Sequence, residues 1–203
     1  MMKAAVNKKT DAELFQSFAA GDEQAFRAVV SRYKKSLYMF LRQFLNRQDI
    51  VEDVFQETFL QLFSSRDSYD RTRPLRPWLF TIAANKAKDA LRKQHRTGTI
   101  TIGTISEAQE TSFDDMLNTL SFDEKRPYEV LEKRETAYRV RRVISNMPEN
   151  LREILILAYF NKFSYKQMTD ILSIPIGTVK SRLHTAVARF AKDWRNIEQE
   201  HKS

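Results

Sequence analysis

The sequence predicts an all-α protein of two small helical domains joined by a flexible acidic linker, the second domain a helix-turn-helix. Three observations predict it. The 203 residues include only four Gly and five Pro but 14 Phe, among abundant Leu, Ala, Lys and Glu, a composition that suits helices and lacks the turn residues of all-β folds. Apolar residues recur at three- and four-residue steps over 10–96 and again over 128–203, the period of amphipathic helices. That period lapses over 97–127, where Gly98 and Gly103 stand among many Thr, Ser and carboxylates.

The first domain, 10–96, opens with a helix from Asp11 that carries Leu14, Phe15 and Phe18. Gly21-Asp22 breaks it, and Asp22 is placed to cap the next helix by accepting from its first backbone N–H groups. The second helix carries Phe26, Val29, Val30, Tyr33, Leu37, Phe40, Leu41 and Phe44. The third, "DIVEDVFQETFLQLF", sets Val51, Val54, Phe55, Thr58, Phe59, Leu62 and Phe63 along one stripe. The polar segment "SSRDSYDRTR" reads as a loop. "RPWLFTIAANKAKDALRKQHR" then forms a fourth helix, with Pro77 in a first turn where its missing N–H costs nothing. Trp78 and Phe80, at helical spacing, read as core.

From Ser106 to Glu135, nine acidic residues face four basic ones. So acidic and weakly hydrophobic a strip cannot bury enough surface to fold alone, which makes 97–127 a linker, with a short helix expected near Phe113 to Leu117. The second domain, 128–203, begins with a helix from Tyr128 that stops before Pro148. "PENLREILILAYFN" follows, with Pro148 in its first turn and Asn161 as its stop. Ser164 and Gln167 make a capping box for a short helix that buries Met168, Ile171 and Leu172. Ile174 fills the angle to the last helix and Pro175 fixes its entry. Val179, Leu183, Val187 and Phe190 form its core stripe.

Charge and composition narrow the function. Lys and Arg number 34 against 26 Asp and Glu, a net +8, which favours a polyanionic partner. The absence of Cys excludes disulfides, thiolate metal sites and a Cys nucleophile, and fits a reducing compartment. The longest apolar run, Ile154 to Phe160, is far below the ~18 residues of a membrane span, and the N-terminus lacks the apolar stretch of a signal peptide. The expectation is a soluble intracellular protein without a membrane partner. The three histidines, 95, 184 and 201, are scattered; no metal site, cofactor or catalytic constellation can be assembled. Chemistry concentrates instead on the last helix. Opposite its core stripe stand Thr178, Lys180, Ser181, Arg182 and His184, groups that reach phosphates or base edges when such a helix enters a major groove.

Three segments carry a family resemblance. "VEDVFQETFLQLF" is similar to the polymerase-binding helix of the bacterial extracytoplasmic-function (ECF) sigma factors, "LRPWLFTIAANKAKDALRK" to their promoter-melting helix, and "MPENLREILILAYFNKFSYKQMTDILSIPIGTVKSRLHTA" to their second domain. The resemblance spans both domains in order and skips the linker. It implies a specificity subunit of RNA polymerase with no catalysis of its own. Asp53, Gln56 and Glu57, on one helical face, would dock on the β′ clamp coiled coil of core polymerase. Asn85 would contact an unstacked base of the −10 element of promoter DNA, with Lys86, Lys88, Arg92 and Lys93 on the backbone and the loop 65–73 closing over the base. The Gly177 helix would read the −35 element through the five residues named above. An anti-sigma factor is a further implied partner. Thr81 and Thr185 stand where the family commonly has basic residues, and Ser173 replaces the usual turn Gly. The competing reading is a free-standing helix-turn-helix regulator that dimerises on a palindrome; the "VEDVFQETF" match argues against it.

Overall fold

The structure, a computed structural model, describes residues 9–70, 72–96 and 127–200. Every regular element among them is helical. The expected linker and the short helix near Phe113 to Leu117 lie outside the described residues. In chain order the helices are α1 (Asp11–Ala19), α2 (Glu23–Phe44), α3 (Gln48–Ser64), α4 (Leu75–Arg96), α5 (Pro127–Ser145), α6 (Glu149–Leu155), α7 (Tyr165–Leu172) and α8 (Ile176–Glu200).

Helix starts follow local chemistry. Thr10 and Glu13 form a reciprocal capping box at α1, Asp22 accepts from Gln24 N and Ala25 N at α2, and Ser164 pairs with Gln167 at α7; each satisfies N–H groups that the helix leaves unpaired. Gly21, at φ +97°, turns the chain between α1 and α2 in a conformation that costs a side chain but not glycine. Pro148 sits one place earlier than expected, as the N-cap of α6 rather than inside its first turn. The stop at Asn161 is as expected, but the widening before it is not. Over Ile156–Phe160 the helix widens, Asn161 N bonding to Ile156 O five residues back, and Asn161 terminates it.

Phe15, Phe18, Phe40, Phe44 and Phe80 lie fully buried in the first half. Ile144, Ile154, Met168 and Val179 fill the second. The two sets are continuous: α4 packs on α7, and α2 touches both α5 and α6. Two stripe residues differ from expectation. Val187 is exposed and Ala186 takes its place in the core, because seven residues return a helix to within ~20° of Val179 whereas eight overshoot to ~80°. Phe63 packs its ring against Phe18 and Phe26 but remains 40% exposed at the end of α3.

The turn between α7 and α8 stores strain. Ser173 adopts φ 53°, ψ 45°, the left-handed region that opposes a Cβ. Ser173→Gly is expected to raise stability by about 0.5–1 kcal/mol, read as a higher urea midpoint at unchanged slope.

Candidate nucleic-acid interface

The helix-turn-helix is assembled from α7, the strained turn and α8. Met168, Ile171 and Val179 are buried at the angle between the two helices, and Ile174 packs against them. This leaves the other side of α8 outward. Lys180, Ser181 and His184 are exposed, while Thr178 is half-buried. Ser181 Oγ donates to Thr178 O at 3.2 Å and Thr185 Oγ1 to Ser181 O at 3.0 Å, so both hydroxyls keep oxygen lone pairs for an outside donor. Arg182 differs: it is half-buried and lines a cleft against α4 and α6.

The acidic face of α3 forms as its spacing demands. Asp53, Gln56 and Glu57 are all exposed, on a helix held underneath by Val51, Val54, Thr58 and Leu62. Thr58 is the one polar member of that stripe, and its hydroxyl donates to Val54 O at 2.6 Å. Leu60, three residues past Glu57, is 68% exposed on the same side.

On α4, Asn85 is exposed and its amide makes no hydrogen bond among the described residues. Three of the neighbouring cations are engaged by carboxylates. Lys86 Nζ lies 3.1 Å from Glu57 Oε2, so the acidic face and the basic helix share an ion pair. Lys88 Nζ lies 3.3 Å from Glu153 Oε1 on α6. Arg92 is paired with Asp89 at 2.7 Å, and Lys93 is exposed.

The loop 65–73, which leads into α4, is ordered by its own side chains, apart from Arg71, which lies outside the described residues. It contains a single turn of 3-10 helix, Arg66–Ser68. Asp70 Oδ1 accepts from Thr72 N at 3.0 Å and Thr72 Oγ1 at 2.7 Å, bonds that hold its carboxyl below the usual carboxylate range. The Tyr69 ring lies 4.3 Å from the rings of both Phe15 and Trp78, and its hydroxyl donates to Arg73 O. Burial pushes the Tyr69 phenol up to about 12.

Sequence reasoning missed the residues that join the halves: Arg76, Arg152 and Glu153. The signal was two opposite charges inside the apolar run "LREILIL", both 5% exposed here. Among the described residues no helix is long and apolar enough to cross a membrane, and no cluster of His, Asp and Glu could hold a metal ion.

Residues 29–97 match the protein family described as Sigma-70 region 2, and residues 137–190 that described as Sigma-70, region 4. The ECF RNA polymerase sigma-E factor of Haemophilus influenzae is 31% identical over 177 residues, covering 87% of this chain and 91% of that protein. The ECF RNA polymerase sigma factor SigW of Bacillus subtilis is 28% identical over 177 residues, covering 87% and 92%. Of solved structures, CnrH in complex with the cytosolic domain of CnrY aligns with a TM-score of 0.65 at 24% identity, covering 90% of this chain and 95% of CnrH.

Proposed function

Because the chain belongs to the ECF RNA polymerase sigma factors of the sigma-70 family, we propose specific surfaces for its promoter-directed initiation of transcription. The function itself is not enzymatic: the chain gives core polymerase its promoter specificity. One observation carries the assignment of the −35 reader, the outward face of α8 with Lys180, Ser181 and His184 exposed on its early turns. Thr178 and Arg182 flank that face and complete the contact set.

The same reasoning assigns Asp53, Gln56 and Glu57 to the β′ clamp coiled coil, whose basic surface complements an acidic helix face. Asn85 takes an unstacked −10 base, since one amide both donates and accepts along a base edge. Lys86, Lys88, Arg92 and Lys93 neutralise phosphates around it. The proposed domain limits are 10–96 and 128–203, with 97–127 between them, and the proposed site of action is the cytoplasm. An anti-sigma factor is a proposed regulator; the solved relatives CnrH and RpoE from Bartonella quintana were each captured with a second protein, the latter's named an anti-sigma factor.

The deciding experiment is run-off transcription by purified core enzyme plus this chain on a random promoter pool. Enrichment of one two-part motif supports the reading, and no enrichment over core alone sinks it. On the selected promoter, Lys180→Ala is expected to weaken binding and to lower the slope of log affinity against log salt by about one, as one fewer counterion is displaced. An unchanged slope removes Lys180 from the phosphate contacts.

A further inference from the structure

One side chain fastens the loop ahead of α4 to the body of the protein. From Asp67 to Pro74, Tyr69 is the one described residue that is not exposed. The bonds of Asp70 with Thr72, together with Arg73 N to Asp70 O at 3.0 Å and Arg73 Nε to Asp70 Oδ2 at 3.3 Å, fix the shape of this stretch. They tie it to nothing outside itself. The attachment is the Tyr69 ring, seated against Trp78 of α4 and Phe15 of α1 with both centroids at 4.3 Å. Phe15 and Trp78 meet edge-on at 5.8 Å, so three rings from three elements close a triangle.

The helix behind this contact, α1, lies before residue 29, where the Sigma-70 region 2 match begins. It divides its apolar face. Phe18 packs against Phe26 of α2 and Phe63 of α3, whereas Phe15, 1% exposed, is turned to the loop and α4. The start of α1 is pinned to α2: Arg32 Nη1 donates to Asp11 Oδ1 at 2.6 Å, Arg32 Nη2 to Lys9 O at 2.7 Å, and the Tyr33 hydroxyl to Asp11 Oδ2.

Trp78, which carries the Tyr69 ring, shares a face of α4 with Asn85, seven residues and about 10 Å further along the axis. We propose that Tyr69 is a positioning residue of the −10 reader and that α1 is its support: Phe15 holds the Tyr69 ring on Trp78, and so fixes where the loop stands over α4, giving α1 a hand in base selectivity without contacting DNA. A reading site works when its groups are held within about 0.5 Å of their productive places by packed neighbours. A stretch of exposed polar side chains has no packing of its own to do this, and two aromatic contacts supply it. The selectivity role rests on the −10 reading proposed above; the anchoring stands apart from it.

Two measurements on the same variants test both. Full-length chain is digested with trypsin, with cleavage after Arg66 and Arg71 followed by mass. Each variant is also assembled with core polymerase on the selected promoter and on copies with the captured base changed. Phe15→Leu and Tyr69→Leu are expected to speed cleavage in the loop and to cut the preference for the captured base about two- to ten-fold, the worth of one aromatic pair. Polymerase retention and −35 duplex binding should not move. Tyr69→Phe keeps the ring and is expected to retain most of the preference. Phe40→Leu, on α2 with Phe44 and Phe80 as ring partners, gives the effect of lost core packing alone. Should Phe15→Leu fail to fold, Tyr69→Leu, at a half-buried position, decides the matter. Loop cleavage no faster than in Phe40→Leu overturns the anchoring. Faster cleavage with the preference intact overturns the positioning role, as does an equal loss of preference in Phe40→Leu. A Tyr69→Phe chain as unselective as Tyr69→Leu takes the role away from the ring. If the unsubstituted chain prefers no base at that position, the −10 reading fails, while the cleavage rates still decide the anchoring.

Discussion

Replacing Asp53, Gln56 and Glu57 together by Ala is expected to weaken binding to core polymerase by about 100-fold, taking each side chain as worth ~1 kcal/mol in the interface. The three groups occupy one exposed helical face, so none contributes to the core, and the stability of the free chain should move by no more than about 0.5 kcal/mol. One neighbour complicates the triple variant. Glu57 pairs with Lys86 at 3.1 Å, and its removal liberates a cation on the adjacent helix. Asp53→Ala with Gln56→Ala, leaving Glu57 in place, separates the effects: this double variant should lose most polymerase binding with DNA affinity unchanged. Co-purification with core polymerase reads the first, and oligonucleotide titration without polymerase reads the second. Retention of polymerase by the triple variant at wild-type levels would remove the α3 face from the clamp interface.

Much of the architecture was readable because it is written locally. Asp22 at the start of α2 and Ser164 with Gln167 at the start of α7 are caps that act within three residues, and a linear sequence shows them in full. The amphipathic stripes of α2 and α3 are equally local, and their Phe residues supply the core. The errors have the same origin. Val187 looked as apolar as Ala186, and only the exact helical angle decides which of them turns inward. The π-type widening over Ile156–Phe160 leaves no periodic trace in an all-apolar run.

The site was readable to the extent that exposure follows from periodicity. Asp53, Gln56, Glu57, Asn85, Lys180, Ser181 and His184 all point outward. The partners of Lys86, Lys88 and Arg182 could not be read in this way. Arg152 meets Asn46 across 106 residues of chain, and Glu153 meets Lys88 across the same junction. A helix's own pattern reports which side is buried, never which other helix buries it. Charges inside an apolar run were the available hint, since buried ions demand a partner.

Asn85→Ala is expected to lower open-complex formation about 10–100-fold at an otherwise unaltered promoter, the value of one good amide-to-base contact of ~1–3 kcal/mol. The argument rests on what surrounds the residue. Asn85 is exposed on α4 with its amide unspent among the described residues, and seven residues earlier on the same helix Trp78 holds the Tyr69 ring of the loop 65–73, itself pre-ordered by Asp70 and Thr72. An uncommitted amide gives an unstacked base a partner, and the cost of extracting that base, a few kcal/mol, must be met there. Asn85→Asp has the same shape but cannot donate when ionised, and it adds a charge that repels phosphate. Its loss should exceed that of Asn85→Ala, with polymerase retention unchanged in both. The sharper readout is selectivity. With wild-type protein, changing the captured base should depress initiation strongly; with Asn85→Ala, all bases at that position should fall to a similar low level. If Asn85→Ala is merely slower and still prefers the same base to the same degree, the base is read by another group, and the loop's own backbone becomes the reader to examine.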